Sequence, residues 1–343
     1  MKTRITTLLG IEHPIVLPGM TYVAVPELVA AVSNAGGLGI LASGGLSAQE
    51  CRQAIQRVRS LTAKPFGVGC SLLLPGATDC ARVALQERVP VINVSMGRAE
   101  WLVEGAHAYG GKVIATVSNE KHARSAIDMG VDGLIVTGHE AAAHGGAVTS
   151  LVLLPVVRDM TDLPIIAAGG FADGRGLVAA LALGADAVAM GTRFATSRES
   201  VVHAATKQLI IDKAAEDTIY STNFDTFPCR VMRTPGGEKY TAKRLGPALV
   251  LVRSWRAARE LDTPLWPLVR DALRQGVVGA IKIAYFGAAT LAMRKAIQRA
   301  DHLGGVQLIG QSQGLVHDVP SVSEIIQRVM QQAADVKARI PLG

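Results

Sequence analysis

A loop with two histidines and a glutamate follows a short apolar segment near the middle of the chain. The whole stretch is Val131–Gly145, VDGLIVTGHEAAAHG, in which Gly133–Val136 has the apolar, β-branched composition of a strand buried on both faces. Its last histidine, His144, stands among alanines and glycines that are too small to pack as a core helix. An imidazole titrates near neutrality, so it can accept or donate a proton at ordinary pH. We therefore predict that His144 is an acid–base residue.

The neighbouring His139 and Glu140 offer two alternatives. His139 also lies at the end of the strand, but the adjacent Glu140 indicates a structural pair. A metal site of His139, Glu140 and His144 is conceivable, because loop residues at this spacing can converge on one ion. No further ligand is evident in the sequence. We therefore expect no bound metal and favour His144 over His139 for chemistry.

Two further segments place glycine at the ends of predicted strands. Ala167–Gly170 is AAGG, and Met190–Arg193 is MGTR. Glycine lets backbone N–H groups approach phosphate oxygens, and a following helix N-terminus favours negative charge. In a barrel of alternating strands and helices, the loops after the seventh and eighth strands form the usual phosphate site. A tight turn alone would explain one glycine site. Two glycine sites at the ends of adjacent strands instead predict phosphate binding. Arg193 would add a charged contact to the phosphate.

Small residues also end the predicted first and third strands. The two segments are Gly19-Met20-Thr21 and Gly69-Cys70-Ser71. Bare backbone and small side chains suit a flat aromatic ligand that lies across the mouth of a barrel, with Met20 packed against its edge. The alternative is that Met20 is an ordinary core residue.

The elements that must position these residues alternate strand and helix as far as Met190. Sequential units of this kind give a parallel sheet with right-handed crossovers, and eight of them close into a barrel. The rival architecture, an open doubly wound sheet, lacks its GxGxxG fingerprint after the first strand. The predicted fold class is therefore α/β, a (β/α)₈ or TIM barrel. The predicted strands are Pro14–Met20, Leu38–Ala42, Phe66–Leu73, Val89–Val94, Lys112–Val117, Leu134–Val136, Pro164–Ala168 and Ala187–Met190.

The alternation stops after Glu199. Residues 1–221 and 304–343 are predicted to form the barrel, and residues 222–303 a helical insertion that lies over its mouth as a lid. Two helices have capping-box patterns at their starts, in which a serine precedes a glutamate by three residues. They are Ala48–Leu61, after Ser47, and Val322–Arg339, after Ser321.

One apolar segment of the insertion needs a separate interpretation. Gly276–Met293 is apolar except for Lys282, but it is too short and carries its charge too near the middle to span a membrane. A buried helix or a subunit contact is predicted instead. A homodimer is the assembly that such a contact would form.

Composition excludes several classes of protein. Lys and Arg number 35 against 28 Asp and Glu, a net charge of +7, but the basic residues are scattered and aromatic residues make up only 4%. Nucleic-acid binding would require a basic stripe with stacking platforms, so it is not expected. The four cysteines show neither paired nor metal-ligand spacing, and no signal peptide is evident. These features predict a cytoplasmic protein that acts on a small molecule and does not bind a membrane.

Taken together, the motifs resemble the FMN-dependent nitronate monooxygenases, formerly called 2-nitropropane dioxygenases. Their superfamily also contains NADH:quinone reductases and FMN-dependent enoyl-ACP reductases. The resemblance covers the barrel and fades between Ser221 and Leu303. It is carried by Ile11–Met20 (IEHPIVLPGM), Asn34–Leu41 (NAGGLGIL), Lys64–Gly69 (KPFGVG), Gly138–Gly146 (GHEAAAHGG), Pro164–Phe194 and Gly310–Val316 (GQSQGLV).

The resemblance implies FMN as the cofactor and roles for individual residues. It implies that His144 is the catalytic base for neutral nitroalkanes and that Ala142 is the small residue before it. The implied FMN contacts at strand ends are Gly19, Met20, Thr21, Ser71 and Thr116. The implied phosphate contacts are Ala168, Gly169, Gly170, Gly191 and Thr192.

Three positions depart from the family pattern. The third-strand motif usually has asparagine where this chain has Gly69, and a lysine often found at the fifth strand end is Thr116 here. Some members have a serine near the C-terminal motif where Leu308 stands. A less polar pocket follows, and it predicts a substrate larger and more apolar than a small nitronate.

The activity that the resemblance favours first is oxidation of alkyl nitronates, and of nitroalkanes through His144, with O₂ to a carbonyl compound and nitrite. The first alternative is an FMN reductase that takes electrons from NADH or NADPH and acts on quinones or enoyl thioesters. The second is a non-catalytic FMN-binding barrel.

Overall fold

Eight parallel strands close into a barrel, as the sequence predicts. The computed structural model describes residues 1–74, 76–244, 246–260, 281 and 284–340. The strands are hydrogen-bonded in chain order, and the first pairs with the eighth through Ile15–Val188 and Val16–Ala189. The fold is therefore an α/β TIM barrel. Its strands are β1 (Ile15–Leu17), β2 (Leu38–Ala42), β3 (Phe66–Ser71), β4 (Val91–Ser95), β5 (Lys112–Val117), β6 (Gly133–Thr137), β7 (Ile165–Ala168) and β8 (Ala187–Ala189).

Helices surround this barrel and extend beyond it. Both predicted capping boxes are present. The hydroxyls of Ser47 and Ser321 each accept from the backbone N–H three residues on, and the carboxylates of Glu50 and Glu324 accept from the backbone N–H of those serines. The helices are α1 (Arg4–Leu9), α2 (Pro26–Asn34), α3 (Ala48–Leu61), α4 (Ala77–Gln86), α5 (Glu100–His107), α6 (Glu120–Asp128), α7 (Ser150–Arg158), α8 (Gly174–Ala182), α9 (Gly191–Ala195), α10 (Ala204–Asp212), α11 (Pro235–Ala242), α12 (Pro247–Glu260), α13 (284–299) and α14 (Val322–Arg339).

Helix α1, which the sequence did not predict, closes one end of the barrel. Its Ile5 and Leu9 join the apolar cluster inside the barrel, and Arg4 forms an ion pair with Asp186 just before β8. Burial of these apolar side chains stabilises the barrel from the end at which the strands begin. The other end, where the strands finish, is left for the site.

The interior layer nearest that second end is small and polar. Successive side chains of a strand alternate between inside and outside, so the residue two positions after an interior one is interior too. Ile40, Val91, Ile114 and Ile166 lie in the interior cluster. Two positions later on the same strands stand Ala42, Asn93, Thr116 and Ala168. These small or polar side chains leave a recess above the apolar core.

The predicted helical insertion is not helical throughout. Within residues 222–303 the chain forms β10 (Cys229–Met232), which pairs antiparallel with β9 (Thr218–Ser221). The polar composition of the intervening residues hid this hairpin, because four-residue strands with alternating polar and apolar side chains give a weak signal. The helices α11, α12 and α13 are the helical parts of the described insertion, and loops connect them.

The apolar segment Gly276–Met293 lies partly outside the described residues, including Lys282. In its described part, Tyr285, Ala289 and Met293 are buried. Within the described ranges, no helix is both long and apolar enough to cross a membrane. The predicted subunit contact stays a prediction.

Candidate active site

A cavity of about 860 Å³ opens at the carboxyl ends of the barrel strands. The residues to which the family resemblance assigns catalysis or FMN contacts line it, although these residues come from six different strand ends. They are Gly19, Met20, Thr21, Ser71, Thr116, Ala142, His144, Ala168, Gly169, Gly170, Gly191 and Thr192. The shared location is the one expected of a barrel whose site is built from the loops after its strands.

One end of the cavity is made of bare backbone. Gly169 and Gly170 follow β7 with φ of +95° and +85°, a region that favours glycine. A Cβ on Gly169 would lie 3.0 Å from the carbonyl oxygen of Gly138, so the two loops approach closely. Gly191 begins α9, whose first N–H groups have no acceptor within the helix. We name the residues 168–170 and 191–192 the glycine end.

The C-terminal return of the chain packs between the glycine end and the histidine loop. The Gly310 N–H donates to Oγ1 of Thr192 at 3.3 Å. A Cβ on Gly310 would lie 2.9 Å from the carbonyl oxygen of Glu140, and the Gln311 N–H donates to that same oxygen at 2.9 Å. Glycine at position 310 therefore lets one segment support both sides of the cavity.

Arg193 does not make the contact that the sequence predicts. Its side chain is only 8% exposed and forms an ion pair with Asp318 at 2.9 Å, and it also donates to the carbonyl oxygen of Thr196. The helical turn of α9 directs this side chain away from the cavity toward α14. The expectation of a charged phosphate contact from Arg193 is wrong.

The floor of the cavity carries hydroxyl and amide groups. Asn93 donates to Oγ1 of Thr116 at 2.9 Å, and the hydroxyls of Ser71 and Ser95 lie 2.8 Å apart. Gly69, at the position where the family pattern has asparagine, pairs in register with Asn93 of the adjacent strand. An amide is thus present at this level of the barrel, one strand away from the expected place. These groups suit the polar edge of a planar heterocycle.

The other end of the cavity is organised around His144. Its Nε2 lies 2.7 Å from Oδ2 of Asp225, whose side chain is 4% exposed. Asp225 stands in the loop between β9 and β10, and its Oδ1 accepts from the N–H of Phe227 at 3.1 Å. The Phe227 ring meets the imidazole edge-on, with centroids 5.5 Å apart. We name His144, Asp225 and Phe227 the imidazole end.

The β9–β10 hairpin holds the loop that carries His144. Ala143 and Arg230 exchange two backbone hydrogen bonds, and the guanidinium of Arg230 donates to the carbonyl oxygen of His139. The hydroxyl of Tyr220 donates to the carbonyl oxygens of Gly145 and Gly146. Burial lowers the pKa of Arg230 and raises that of Tyr220.

Local backbone strain also fixes the direction of the imidazole. Ala143, directly before it, has a φ of +53°, which is uncommon for a residue with a side chain. Such conformations persist where the surrounding structure determines them, and here the two bonds to Arg230 do so.

His139 and Glu140 have structural partners, but they do not pair with each other. Nδ1 of His139 contacts the carbonyl oxygen of Gly146 at 3.0 Å, and its ring packs against Tyr220. The carboxylate of Glu140 accepts from the N–H and hydroxyl of Ser150 at the start of α7. A metal site of His139, Glu140 and His144 therefore has no support in this geometry.

A different grouping brings three possible metal ligands together. The ligand atoms of His144, Asp225 and Cys229 lie within 4.8 Å of one another. The described part of the chain contains no other group of three such residues. Burial raises the pKa of the Cys229 thiol well above its ordinary value of 9.0, which disfavours the thiolate that a metal needs. The short contact between His144 and Asp225 fits a hydrogen-bonded pair.

Beyond the imidazole end, the cavity wall is apolar. The side chains that form it come from the hairpin loop, from α13 and from the C-terminal return. They are Phe227, Phe286, Met293, Ile297, Leu308 and Ile309. Such a wall favours a ligand with a large apolar part over one made only of small polar groups.

The residues that support His144 could not be predicted from the sequence. Asp225 lies 81 positions from His144, and Arg230 lies 91 positions from His139. Both stand in the polar segment that was expected to belong to a helical insertion. The burial of Asp225 and Arg230 cannot be read from the sequence, and nothing local connects them with the loop after β6.

Comparison with known proteins places the chain in a family. Residues 2–87 and 75–332 match the family model described as nitronate monooxygenase. The chain is 37% identical over 341 residues to a Mycobacterium tuberculosis protein named (3aS,4S,5R,7aS)-5-hydroxy-7a-methyl-1-oxo-octahydro-1H-indene-4-carboxyl-CoA dehydrogenase, covering 97% of this chain and 96% of that protein. It is 29% identical over 381 residues to nitronate monooxygenase of Pseudomonas aeruginosa, covering 97% and 99%. The solved structure of FabK from Thermotoga maritima superposes with a TM-score of 0.83 at 34% identity, covering 99% and 98%.

Proposed function

The chain belongs to the nitronate monooxygenase family of oxidoreductases, and we propose that within it the chain is an FMN-dependent dehydrogenase of acyl thioesters with a bulky apolar acyl group. The observation that carries this proposal is the joint geometry of one cavity, in which a paired imidazole faces an apolar wall.

The family is flavin-dependent, and the residues of the cavity fit FMN. The bare backbone at Gly169, Gly170 and Gly191 leaves room for the phosphate, which the first N–H groups of α9 would bind. The hydroxyls of Ser71 and Thr116 and the amide of Asn93 would meet polar atoms of the ring system. When bound, FMN would supply the acceptor for a hydride from the substrate.

The size and lining of the cavity support a bulky acyl group. A volume of about 860 Å³ lies toward the upper end of the range for small-molecule sites, which gives room for a cofactor and a substrate together. A small alkyl nitronate would leave apolar surface from Phe286 and Met293 in contact with water. The Mycobacterium tuberculosis relative is named for a bicyclic carboxyl-CoA, a substrate of this character.

His144 would remove the proton in this reaction. A carbon next to a thioester carbonyl has an acidic C–H, and an imidazole within reach of it can act as general base. The proton would go to His144, and with FMN as the hydride acceptor the substrate would lose two hydrogens and gain a carbon–carbon double bond. In the opposite direction the same residues would reduce an enoyl thioester, with NADH or NADPH supplying the electrons.

Oxidation of alkyl nitronates with O₂ is the second candidate. The family description and the Pseudomonas aeruginosa relative favour it, and the sequence motifs rank it first. A nitronate is already an anion, so it would need His144 less than a neutral nitroalkane does. The apolar wall, with Leu308 in place of a serine, is the reason for ranking it behind the thioester.

Anaerobic mixing of the FMN-loaded protein separates these activities. The probes are cyclohexanecarboxyl-CoA, ethylnitronate, NADH and NADPH, each followed by loss of the visible flavin absorbance. We expect cyclohexanecarboxyl-CoA to bleach the flavin and to give an unsaturated thioester. Bleaching by ethylnitronate alone would support the second candidate, and bleaching by NADH or NADPH alone would support a reductase. A protein that binds FMN but is bleached by none of the probes would contradict all three.

A further inference from the structure

We propose that Asp225 is a positioning residue that holds His144 with its proton on Nε2, so that Nδ1 is the basic atom. The inference deepens the proposed function, because it rests on His144 as the base of that reaction. It stands on the contact between Nε2 and Oδ2 at 2.7 Å and on the near-complete burial of the Asp225 side chain.

The chemistry of the two groups fixes the tautomer. A carboxylate accepts hydrogen bonds and has no proton to donate, so Nε2 must be the donor in this pair. In a neutral imidazole the other nitrogen then carries the lone pair, and Nδ1 of His144 has no hydrogen-bond partner among the described residues. The lone pair is thus free for a substrate proton. After proton transfer, the same carboxylate would stabilise the imidazolium.

The carboxylate itself is held in place. Its second oxygen accepts from the N–H of Phe227, so both oxygens have partners and the carboxylate plane is fixed. The Phe227 ring packs against the imidazole at an interplanar angle of 69°. Rotation of either ring would therefore break a contact, which confines His144 to one orientation.

The loop and the hairpin are joined without help from this pair. The backbone bonds between Ala143 and Arg230, and the bonds from Tyr220 to Gly145 and Gly146, keep His144 opposite Asp225. A substitution of Asp225 should then change the imidazole and leave the loop in place. This separation makes a positioning role testable apart from a structural one.

The variant Asp225→Asn is the main test, with FMN bound. An asparagine has the same size, but its NH₂ can donate to Nε2 and so drive the proton to Nδ1. We expect the rate of flavin bleaching by cyclohexanecarboxyl-CoA to fall about 10²-fold, and affinity for FMN to stay within about threefold. The variant Asp225→Glu, which keeps a carboxylate, should recover part of the rate.

The tautomer is measured directly by ¹⁵N NMR of histidine-labelled protein, with the His144 signal assigned from His144→Gln. We expect a protonated Nε2 in the natural sequence and a protonated Nδ1 in Asp225→Asn. The matched control is Asp217→Asn, a carboxylate just before β9 that accepts from the N–H of Ala214 outside the cavity. It should leave the tautomer and the rate unchanged.

The two readouts separate this inference from the proposed function. If cyclohexanecarboxyl-CoA bleaches no flavin in the natural protein, the thioester proposal fails and the NMR signal still decides the role of Asp225. In the natural protein, a neutral His144 with its proton on Nδ1 would overturn the inference, even if Asp225→Asn did not fold. So would an Asp225→Asn protein that keeps both tautomer and rate.

Discussion

The two ends of the cavity are built in opposite ways. The glycine end consists of backbone from the loops after two adjacent strands, β7 and β8. The imidazole end consists of side chains, and its central contact joins residues 81 positions apart. One end depends on side chains being absent, and the other depends on two side chains meeting.

This difference separates binding from chemistry. Backbone N–H groups and a helix N-terminus can hold a phosphate in any protein with this loop geometry, whatever reaction follows. The base must instead be oriented, and the hairpin that orients it comes from a distant part of the chain. We therefore expect changes at the glycine end to alter cofactor affinity, and changes at the imidazole end to alter turnover.

The largest effect is expected for His144→Ala. Loss of the base should lower the rate of flavin bleaching by cyclohexanecarboxyl-CoA about 10³-fold, with FMN affinity nearly unchanged. The control is His107→Ala on α5, a histidine paired with Asp132 outside the cavity. Nitroethane and ethylnitronate give a second comparison, because only the neutral form must lose a C–H proton. Equal losses on both would argue against a base.

A smaller effect, confined to the cofactor, is expected for Gly191→Val. The added side chain would point toward Met20, with its Cβ 3.3 Å from the sulfur, and would narrow the cavity beside the proposed phosphate site. We expect FMN to bind about 100-fold more weakly, measured by flavin fluorescence. Gly246→Val is the matched control, since a Cβ there meets no atom of the described residues within 4 Å. Unchanged FMN affinity in Gly191→Val would remove the glycine end from the phosphate site.

The same contrast explains how much could be predicted from the sequence. The barrel and the glycine end follow from local patterns: apolar segments such as Lys112–Val117 and glycines at strand ends need no distant partner to be recognised. His144 could be predicted for the same reason, because it follows a strand directly. Asp225 and Arg230 could not, because their roles exist only after the hairpin folds back onto the β6 loop. Arg193 was misjudged because a helical turn directs its side chain.

The support of the loop is tested by Arg230→Met. Methionine keeps much of the length, but it leaves the carbonyl oxygen of His139 without its charged donor and Thr218 without a partner for its hydroxyl. We expect a loss of about 2 kcal/mol in the free energy of unfolding. Turnover should fall about tenfold because the imidazole of His144 is held less firmly in its orientation, while FMN affinity stays within about threefold.

The control for this variant lies on the same hairpin. Arg233→Met removes a half-exposed arginine that pairs with Glu238, and it should change neither stability nor turnover by a comparable amount. If Arg230→Met weakened FMN binding as much as it slowed turnover, cofactor affinity and turnover would not depend on separate ends of the cavity.

The smallest effect is expected for Asp318→Asn. This variant tests whether Arg193 stabilises the fold through its ion pair and takes no part in FMN binding. Burial alone would raise the pKa of Asp318, but hydrogen bonds and charge from Arg328 and Arg193 outweigh it and hold the pKa below the ordinary 3.8. A carboxyl whose pKa is lowered by folding stabilises the folded state above its unfolded pKa and loses that effect as pH falls through the folded value.

The stability advantage of the natural protein over Asp318→Asn should therefore be about 1 kcal/mol near neutrality. Because the ordinary pKa is 3.8, it should shrink as the pH falls below that value. Denaturant unfolding at several pH values measures it, with Asp335→Asn on the exposed face of α14 as control. FMN affinity should not change, because the Arg193 side chain points away from the glycine end. A weaker FMN complex in Asp318→Asn would mean that the ion pair helps to hold α9 in place, and that the backbone donors do not act alone.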